Sequence, residues 1–112
     1  MGIKVSKFGG SSLADAAQFA KVKNILLSDA DRRIVVPSAP GKRSSVDIKV
    51  TDLFYECNRL ASAGKEIDAA FDKIAERYHS IAAELGLSQR AVEGRLYRLR
   101  QRLRQELGGD DA

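Results

Sequence analysis

The sequence is poor in the residues that build disulfides, metal sites and membrane spans. Its 112 residues include one cysteine, one histidine and no tryptophan. A lone Cys57 cannot form an internal disulfide, and His79 has no cysteine or acidic residue around it at metal-ligand spacing. No apolar run is long enough to cross a bilayer, and no secretory signal opens the chain. These absences predict a cytoplasmic protein with no metal site and no catalytic triad.

The composition is that of a small soluble globular domain. Apolar residues make up 44% of the chain and charged residues 30%. A domain of this size buries about two thirds of its unfolded surface, which leaves little room for a complete two-substrate enzyme. The net charge of +4 hides an asymmetry, because six arginines lie between positions 90 and 104 against the single acid Glu93. That stripe indicates either an anionic partner or a solvated helix face.

The first third of the chain has the pattern of a βαβ unit. Residues 3–8 alternate apolar and polar side chains as a strand does, and two glycines end them. Residues 13–27 have helical periodicity, with Ser12 placed as the N-cap. Residues 33–38 contain a short apolar run typical of a parallel strand. We therefore expect an α/β fold that begins with a small parallel sheet.

The middle of the chain predicts a loop followed by two helices. Residues 39–50 are polar and aperiodic, which indicates a mobile loop, and function is often carried by such loops. Thr51 or Asp52 can cap a helix that ends at Gly64, and residues 65–85 repeat the helical pattern.

The carboxyl-terminal part predicts one further, basic helix. Gly86 fits a helix C-cap and Ser88 a new N-cap. The helix should run over residues 89–107 with leucines along one face, and residues 108–112 should form a disordered acidic tail.

The segment between the first strand and the first helix has the parts of a phosphate-binding loop. Glycines allow backbone N–H groups to approach phosphate oxygens, and Lys7 could neutralise the charge that develops in phosphoryl transfer. The segment is neither a Walker A loop nor a GxGxxG fingerprint. On chemistry alone, the glycines could equally serve only the geometry of a strand-to-helix turn.

Three motifs resemble those of aspartate kinases, which are members of the amino acid kinase family. They are residues 4–12 (KVSKFGGSS), 35–43 (VVPSAPGKR) and 49–53 (KVTDL), in the family's order and spacing. The helices that follow are similar as far as Leu87. The resemblance implies that residues 1–87 form a truncated amino acid kinase-like parallel sheet with helices, an incomplete kinase domain followed by a helical basic tail.

The resemblance also implies an activity and its residues. An aspartate kinase is a transferase of amino-acid biosynthesis that uses ATP with magnesium to phosphorylate aspartate as an acyl phosphate. By motif position, Lys7 would be catalytic and would stabilise the transferring phosphoryl group. The phosphates would be bound by Gly9, Gly10, Ser11 and Ser12, and the aspartate by Ser38 and Thr51. Without the family match, Lys7 could be a solvated strand-end lysine and Thr51 a helix cap.

Two departures from the family pattern argue against independent activity. Pro37 stands where the family usually has another β-former, and proline removes an N–H from a strand expected to be interior. The family's later acidic substrate-site residue, its second nucleotide-binding segment and its regulatory domains have no counterpart in these residues. Phosphoryl transfer depends on all parts of the site together, so we expect the chain to be inactive alone.

A second resemblance overlaps the first. Residues 78–104 (YHSIAAELGLSQRAVEGRLYRLRQRLR) are similar to the helix-turn-helix of bacterial sigma factors and of related response regulators. It implies helix-turn-helix-like helices over residues 78–107, with a recognition helix that starts after Ser88.

This alternative predicts duplex DNA as a partner. The side chains nearest the bases or phosphates would be those of Gln89, Arg90, Glu93, Arg95, Arg98 and Arg102. The competing interpretation is an amphipathic helix packed on the kinase-like part, with arginines in water. The sequence leaves open whether the two resemblances reflect a natural fusion, a misassembled reading frame or a chimera, and whether the chain forms a homo-oligomer.

Overall fold

Over residues 2–107 the fold, seen in a computed structural model, is a mixed α/β arrangement of two strands and four α-helices. The structure describes residues 2–107, apart from the side chains of Gln89 and Leu107; the predicted acidic tail, 108–112, lies outside the described residues. In chain order, the elements are β1 (Lys4–Phe8), α1 (Ala16–Leu27), β2 (Arg32–Pro37), α2 (Val50–Ser62), α3 (Asp68–Glu84) and α4 (Gln89–Leu107). The predicted α/β class is confirmed. The chain divides after Val50 into two compact units.

The first unit is built on a parallel pair of strands. β1 pairs with β2 in a register that runs from Lys4 opposite Arg32 to Phe8 opposite Pro37. The connection through α1 makes this a βαβ unit, as the hydrophobic pattern predicts. Both strands begin and end within one residue of their predicted bounds.

Pro37 does not interrupt the ladder between the two strands. The carbonyl oxygen of Phe8 accepts its hydrogen bond from the N–H of Ser38, at 3.0 Å. Because successive N–H groups of a strand point to opposite edges, the nitrogen of Pro37 is directed away from β1. The expected loss of a ladder hydrogen bond at Pro37 therefore does not apply to this pair.

The first helix begins later than predicted. A short 3₁₀ turn over Gly10–Leu13 comes first, and α1 starts only at Ala16. Its N-cap is Asp15, whose carboxylate accepts a hydrogen bond from the N–H of Gln18 at 3.0 Å. The prediction of Ser12 as the cap is wrong, because the tighter turn delays the helix and Asp15 then occupies the capping position.

In the second unit, a glycine follows the carboxyl-terminal end of both α2 and α3. Gly64 and Gly86 have φ values of 73° and 74°, which is the left-handed conformation that glycine adopts most readily. After Gly86, the N–H of Leu87 donates to the carbonyl of Ala82 at 2.9 Å, as in a Schellman motif. The core of this unit is apolar, and its largest fully buried side chains are those of Cys57, Ile67, Phe71 and Ile74. Among the described residues, no helix has both the length and the hydropathy needed to cross a membrane.

Candidate phosphate site and basic helix

Lys7 lies at the end of β1, on the face opposite the core. Its neighbour Phe8 is buried, and because side chains alternate along a strand, Lys7 is exposed to solvent. The glycine and serine residues of the predicted loop follow at once. The lysine therefore stands beside the loop with its ammonium group accessible.

The loop itself turns tightly. The N–H of Ser12 donates to the carbonyl of Gly9 at 3.1 Å, which closes the first turn of the 3₁₀ segment. Ser11 is exposed and Ser12 half-buried, and no hydrogen bond within residues 2–107 occupies either hydroxyl. The two hydroxyls are thus available as hydrogen-bond donors. The carboxylate of Asp15 caps α1, so the positive end of that helix is already partly neutralised.

The end of β2 brings Ser38 beside this loop. Its N–H bonds the carbonyl of Phe8, the residue that immediately precedes Gly9. The Ser38 side chain is exposed, and its hydroxyl makes no hydrogen bond in the described part of the chain. Parallel pairing thus places Ser38 next to residues 7–12, as expected where two parallel strands end at one edge.

Gly41 also contacts the loop, and the sequence pattern did not single it out. Its N–H donates to the carbonyl of Gly10 at 2.8 Å, and both Pro40 and Gly41 are buried. The available signal was the Pro-Gly pair inside the second motif, but a contact between residues 31 positions apart has no local signature.

The segment after Gly41 is irregular, as predicted, and is held by defined hydrogen bonds. The Arg43 guanidinium makes a two-pronged ion pair with the Asp47 carboxylate, with N–O distances of 2.7 and 3.1 Å. The N–H of Val50 bonds the carbonyl of Pro40 at 2.9 Å and so closes the loop at its far end.

Thr51 is the remaining predicted substrate residue. It is the second residue of α2 and its side chain is exposed. The helix begins at Val50, so Thr51 lies within its first turn rather than at the cap. Thr51 belongs to the second unit.

The arginines of α4 fall into three groups. Arg100 and Arg104 form ion pairs with Asp72 and Asp68 of α3. Arg102 pairs within α4 with Glu106, at 3.3 Å. The other predicted DNA contacts whose side chains are described are all exposed: Arg90, Glu93, Arg95 and Arg98. The side chain of Gln89 lies outside the described part of the chain.

The pairing pattern defines how α4 packs. Arg104, near the end of α4, contacts Asp68 at the start of α3, while Arg100 contacts Asp72 one turn further along. α4 therefore runs back along α3 as an antiparallel helical hairpin. Arg95 also lines an apolar groove of about 300 Å³ between Phe54, Tyr78 and Leu99.

These features place the first unit among the α/β proteins, as a parallel βαβ unit with an exposed lysine and a glycine–serine loop at the end of its first strand. No family profile matches the chain.

Comparisons with individual proteins define the family. The chain is 47% identical to aspartokinase 3 of Bacillus subtilis over 91 residues, which cover 81% of this chain and 20% of that protein. It is 33% identical to the chloroplastic aspartokinase 2 of Arabidopsis thaliana over 101 residues, or 89% of this chain and 18% of that one. The crystal structure of the aspartate kinase of Clostridium acetobutylicum, described as an allosteric enzyme, matches with a TM-score of 0.87 and 44% identity.

The chain is an aspartate kinase fragment. It spans about a fifth of the length of the curated relatives it matches, and 24% of the Clostridium chain. The structural match covers 94% of this chain, so it extends beyond Leu87 and includes most of α4. The basic helix therefore has a structural counterpart in an aspartate kinase.

Proposed function

We propose that this chain is the phosphate-binding segment of an ATP:aspartate phosphotransferase. The observation that carries the proposal is the exposed Lys7 directly before a loop whose Ser11 and Ser12 hydroxyls have no partner within residues 2–107. The identity to two aspartokinases supports the substrate class.

Each residue has a definite role in the proposed reaction. A carboxylate oxygen of aspartate attacks the γ-phosphorus of ATP, the bond to ADP breaks, and an acyl phosphate forms. Lys7 compensates the negative charge on the transferring group, and Gly9, Gly10, Ser11 and Ser12 hold the phosphates through N–H and hydroxyl donors. Ser38, beside the loop, binds the aspartate, and Thr51 is assigned to the substrate by its position in the third motif alone.

The described residues fit the phosphates of the nucleotide better than they fit its metal. The loop offers a cation and several donors, which suit an anion. No group of three or more acidic, histidine or cysteine side chains within residues 2–107 could hold a metal ion. Magnesium would arrive with the nucleotide and neutralise phosphate charge there.

A titration with ATP or pyrophosphate tests the binding role. Amide resonances of residues 9–12 should shift with a millimolar dissociation constant, which corresponds to about 4 kcal/mol. Lys7→Ala should weaken the binding, whereas Lys23→Ala, a change at an exposed lysine of α1, should not. Shifts that avoid residues 9–12 would show that the loop is only a turn.

A second candidate function is binding of duplex DNA through α4. The observation in its favour is that Arg90, Arg95 and Arg98 are exposed and form no ion pair within residues 2–107. The ion pairs of Arg100 and Arg104 with α3, and the hairpin they stabilise, favour a packing role for the rest of the helix.

A further inference from the structure

Gly41 packs so closely against the backbone of the phosphate loop that there is no room for a side chain at position 41. A Cβ atom built on Gly41 would lie 2.6 Å from the carbonyl carbon of Gly10, 2.8 Å from its oxygen and 2.9 Å from the nitrogen of Ser11. All three atoms belong to the main chain and cannot rotate aside as a flexible side chain would. Only glycine fits at position 41 with the loop in this place.

The contact is close from the other side as well. A Cβ on Gly10 would lie 3.2 Å from the Cα of Gly41 and 3.3 Å from the carbonyl oxygen of Ala39. A Cβ on Gly9 would meet nothing within 4 Å. Of the two adjacent loop glycines, it is therefore Gly10 that the contact with the second loop requires.

The hydrogen bond from Gly41 also sets the direction of a phosphate donor. Its N–H holds the carbonyl of Gly10 at 2.8 Å. Because the C=O and N–H of a trans peptide lie in one plane and point in opposite directions from the C–N bond, the N–H of Ser11 then points away from Gly41. Ser11 is exposed, so this N–H is directed to where an anion can reach it.

We propose that Gly41 is a positioning residue that holds the Gly10–Ser11 peptide in its phosphate-binding orientation. The inference rests on the proposed function for its ligand, the polyphosphate of a nucleotide. The hydrogen bond between Val50 and Pro40 anchors the residue before Gly41, which makes the second loop a firm support. Ser38, the residue proposed to bind aspartate, lies three residues before Gly41. One short segment therefore carries both a proposed substrate contact and the support for the phosphate loop.

The test compares Gly41→Ala with Gly2→Ala, the same substitution in the same unit where the added methyl has open space. In the absence of ligand, Gly41→Ala should shift the amide resonances of Gly10 and Ser11. It should also weaken ATP or pyrophosphate binding about tenfold or more, while Gly2→Ala changes neither. Unchanged loop resonances and unchanged affinity in a folded Gly41→Ala protein would overturn the proposal.

A second variant covers the case in which Gly41→Ala does not fold. Gly10→Ala introduces a smaller steric overlap from the other side of the same contact. In the absence of ligand, it should shift the amide resonances of Gly41 and Lys42. Unchanged resonances at these two residues would show that the contact between the loops does not exist. The wild-type titration separates the two proposals. If the wild type does not bind ATP or pyrophosphate, but the glycine variants still shift the loop resonances without ligand, the proposed phosphate binding is wrong and the contact between the two loops is confirmed.

Discussion

The guanidinium of Arg100 lies over the ring of Phe71, with its central carbon 4.9 Å from the ring centroid. Phe71 is fully buried, and the same guanidinium reaches the carboxylate of Asp72 at 3.3 Å. Arg100 therefore covers the core of the second unit with its charged group while it links α4 to α3. An arginine that looks like part of a basic stripe in the sequence is here a packing residue.

The first prediction follows from that contact. Arg100→Ala should lower the free energy of unfolding by about 1 kcal/mol, because it removes a cation–π contact and the cover over Phe71. Arg98→Ala, two residues away on an exposed position, is the matched control and should change stability by less than about 0.5 kcal/mol. Urea denaturation of the three proteins makes the measurement. Equal stability of the two variants would show that the contact contributes nothing.

Local signals in the sequence were sufficient for most of the fold. The first strand alternates apolar and polar side chains, the second contains a short apolar run, and parallel pairing follows from the helix between them. Gly86 was predicted as a C-cap because the left-handed conformation after a helix favours glycine, and the structure has it there at a φ of 74°. These features depend on residues a few positions apart.

What the sequence did not predict depends on residues far apart. The contact of Gly10 with Gly41 is made by two residues that have no side chain and therefore leave no hydrophobic or charge pattern, so only the tertiary structure reveals it. Arg100 and Arg104 form their ion pairs with aspartates of α3 that lie 28 and 36 positions earlier in the chain. The basic stripe could be counted in the sequence, but its division into packing and exposed arginines could not.

A second prediction concerns pH and the ion pair between Lys4 and Asp29. The hydrogen bond from Lys4, together with that from the N–H of Asp31, lowers the pKa of Asp29 below its usual 3.8. A lowered folded-state pKa stabilises the fold above the unfolded-state value, and the stabilisation is lost as pH falls through the lower, folded-state value. Asp29→Asn should therefore destabilise the chain at pH 6 to 7 and converge with the wild type in strong acid.

The control for this experiment lies in the same turn. Asp31→Asn removes a carboxylate that forms no ion pair within residues 2–107, so it matches the loss of one acidic side chain without the loss of the Lys4 contact. Thermal melting across pH 2 to 7 at low salt gives both curves. A constant difference between Asp29→Asn and the wild type at every pH would contradict the assigned ion pair.

The third prediction is that these 112 residues do not turn over aspartate on their own. The chain spans about a fifth of the aspartokinases it matches, and phosphoryl transfer requires all the groups that position and neutralise the phosphates. A coupled assay with ATP, magnesium and aspartate should show no ADP release above that of Lys7→Ala. Aspartate-dependent release well above this control would mean that an oligomer or a segment not assigned to the site completes it.

The last prediction tests the exposed arginines of α4 against duplex DNA. If they bind phosphates, log affinity should fall with log salt by about 0.9 for each phosphate neutralised, so a few contacts weaken binding by orders of magnitude between roughly 50 and 200 mM salt. Replacing Arg98 and Arg102 together should flatten the slope. Replacing Arg90 or Gln89 should alter sequence preference if bases are read.

Arg100→Ala is the control, since Arg100 pairs with Asp72 and its loss should affect stability more than the slope of log affinity against log salt. A titration at low salt, beside a scrambled peptide of the α4 sequence with the same charge, decides the matter: binding no stronger than that of the peptide would leave α4 as a packing helix of the kinase-like fold.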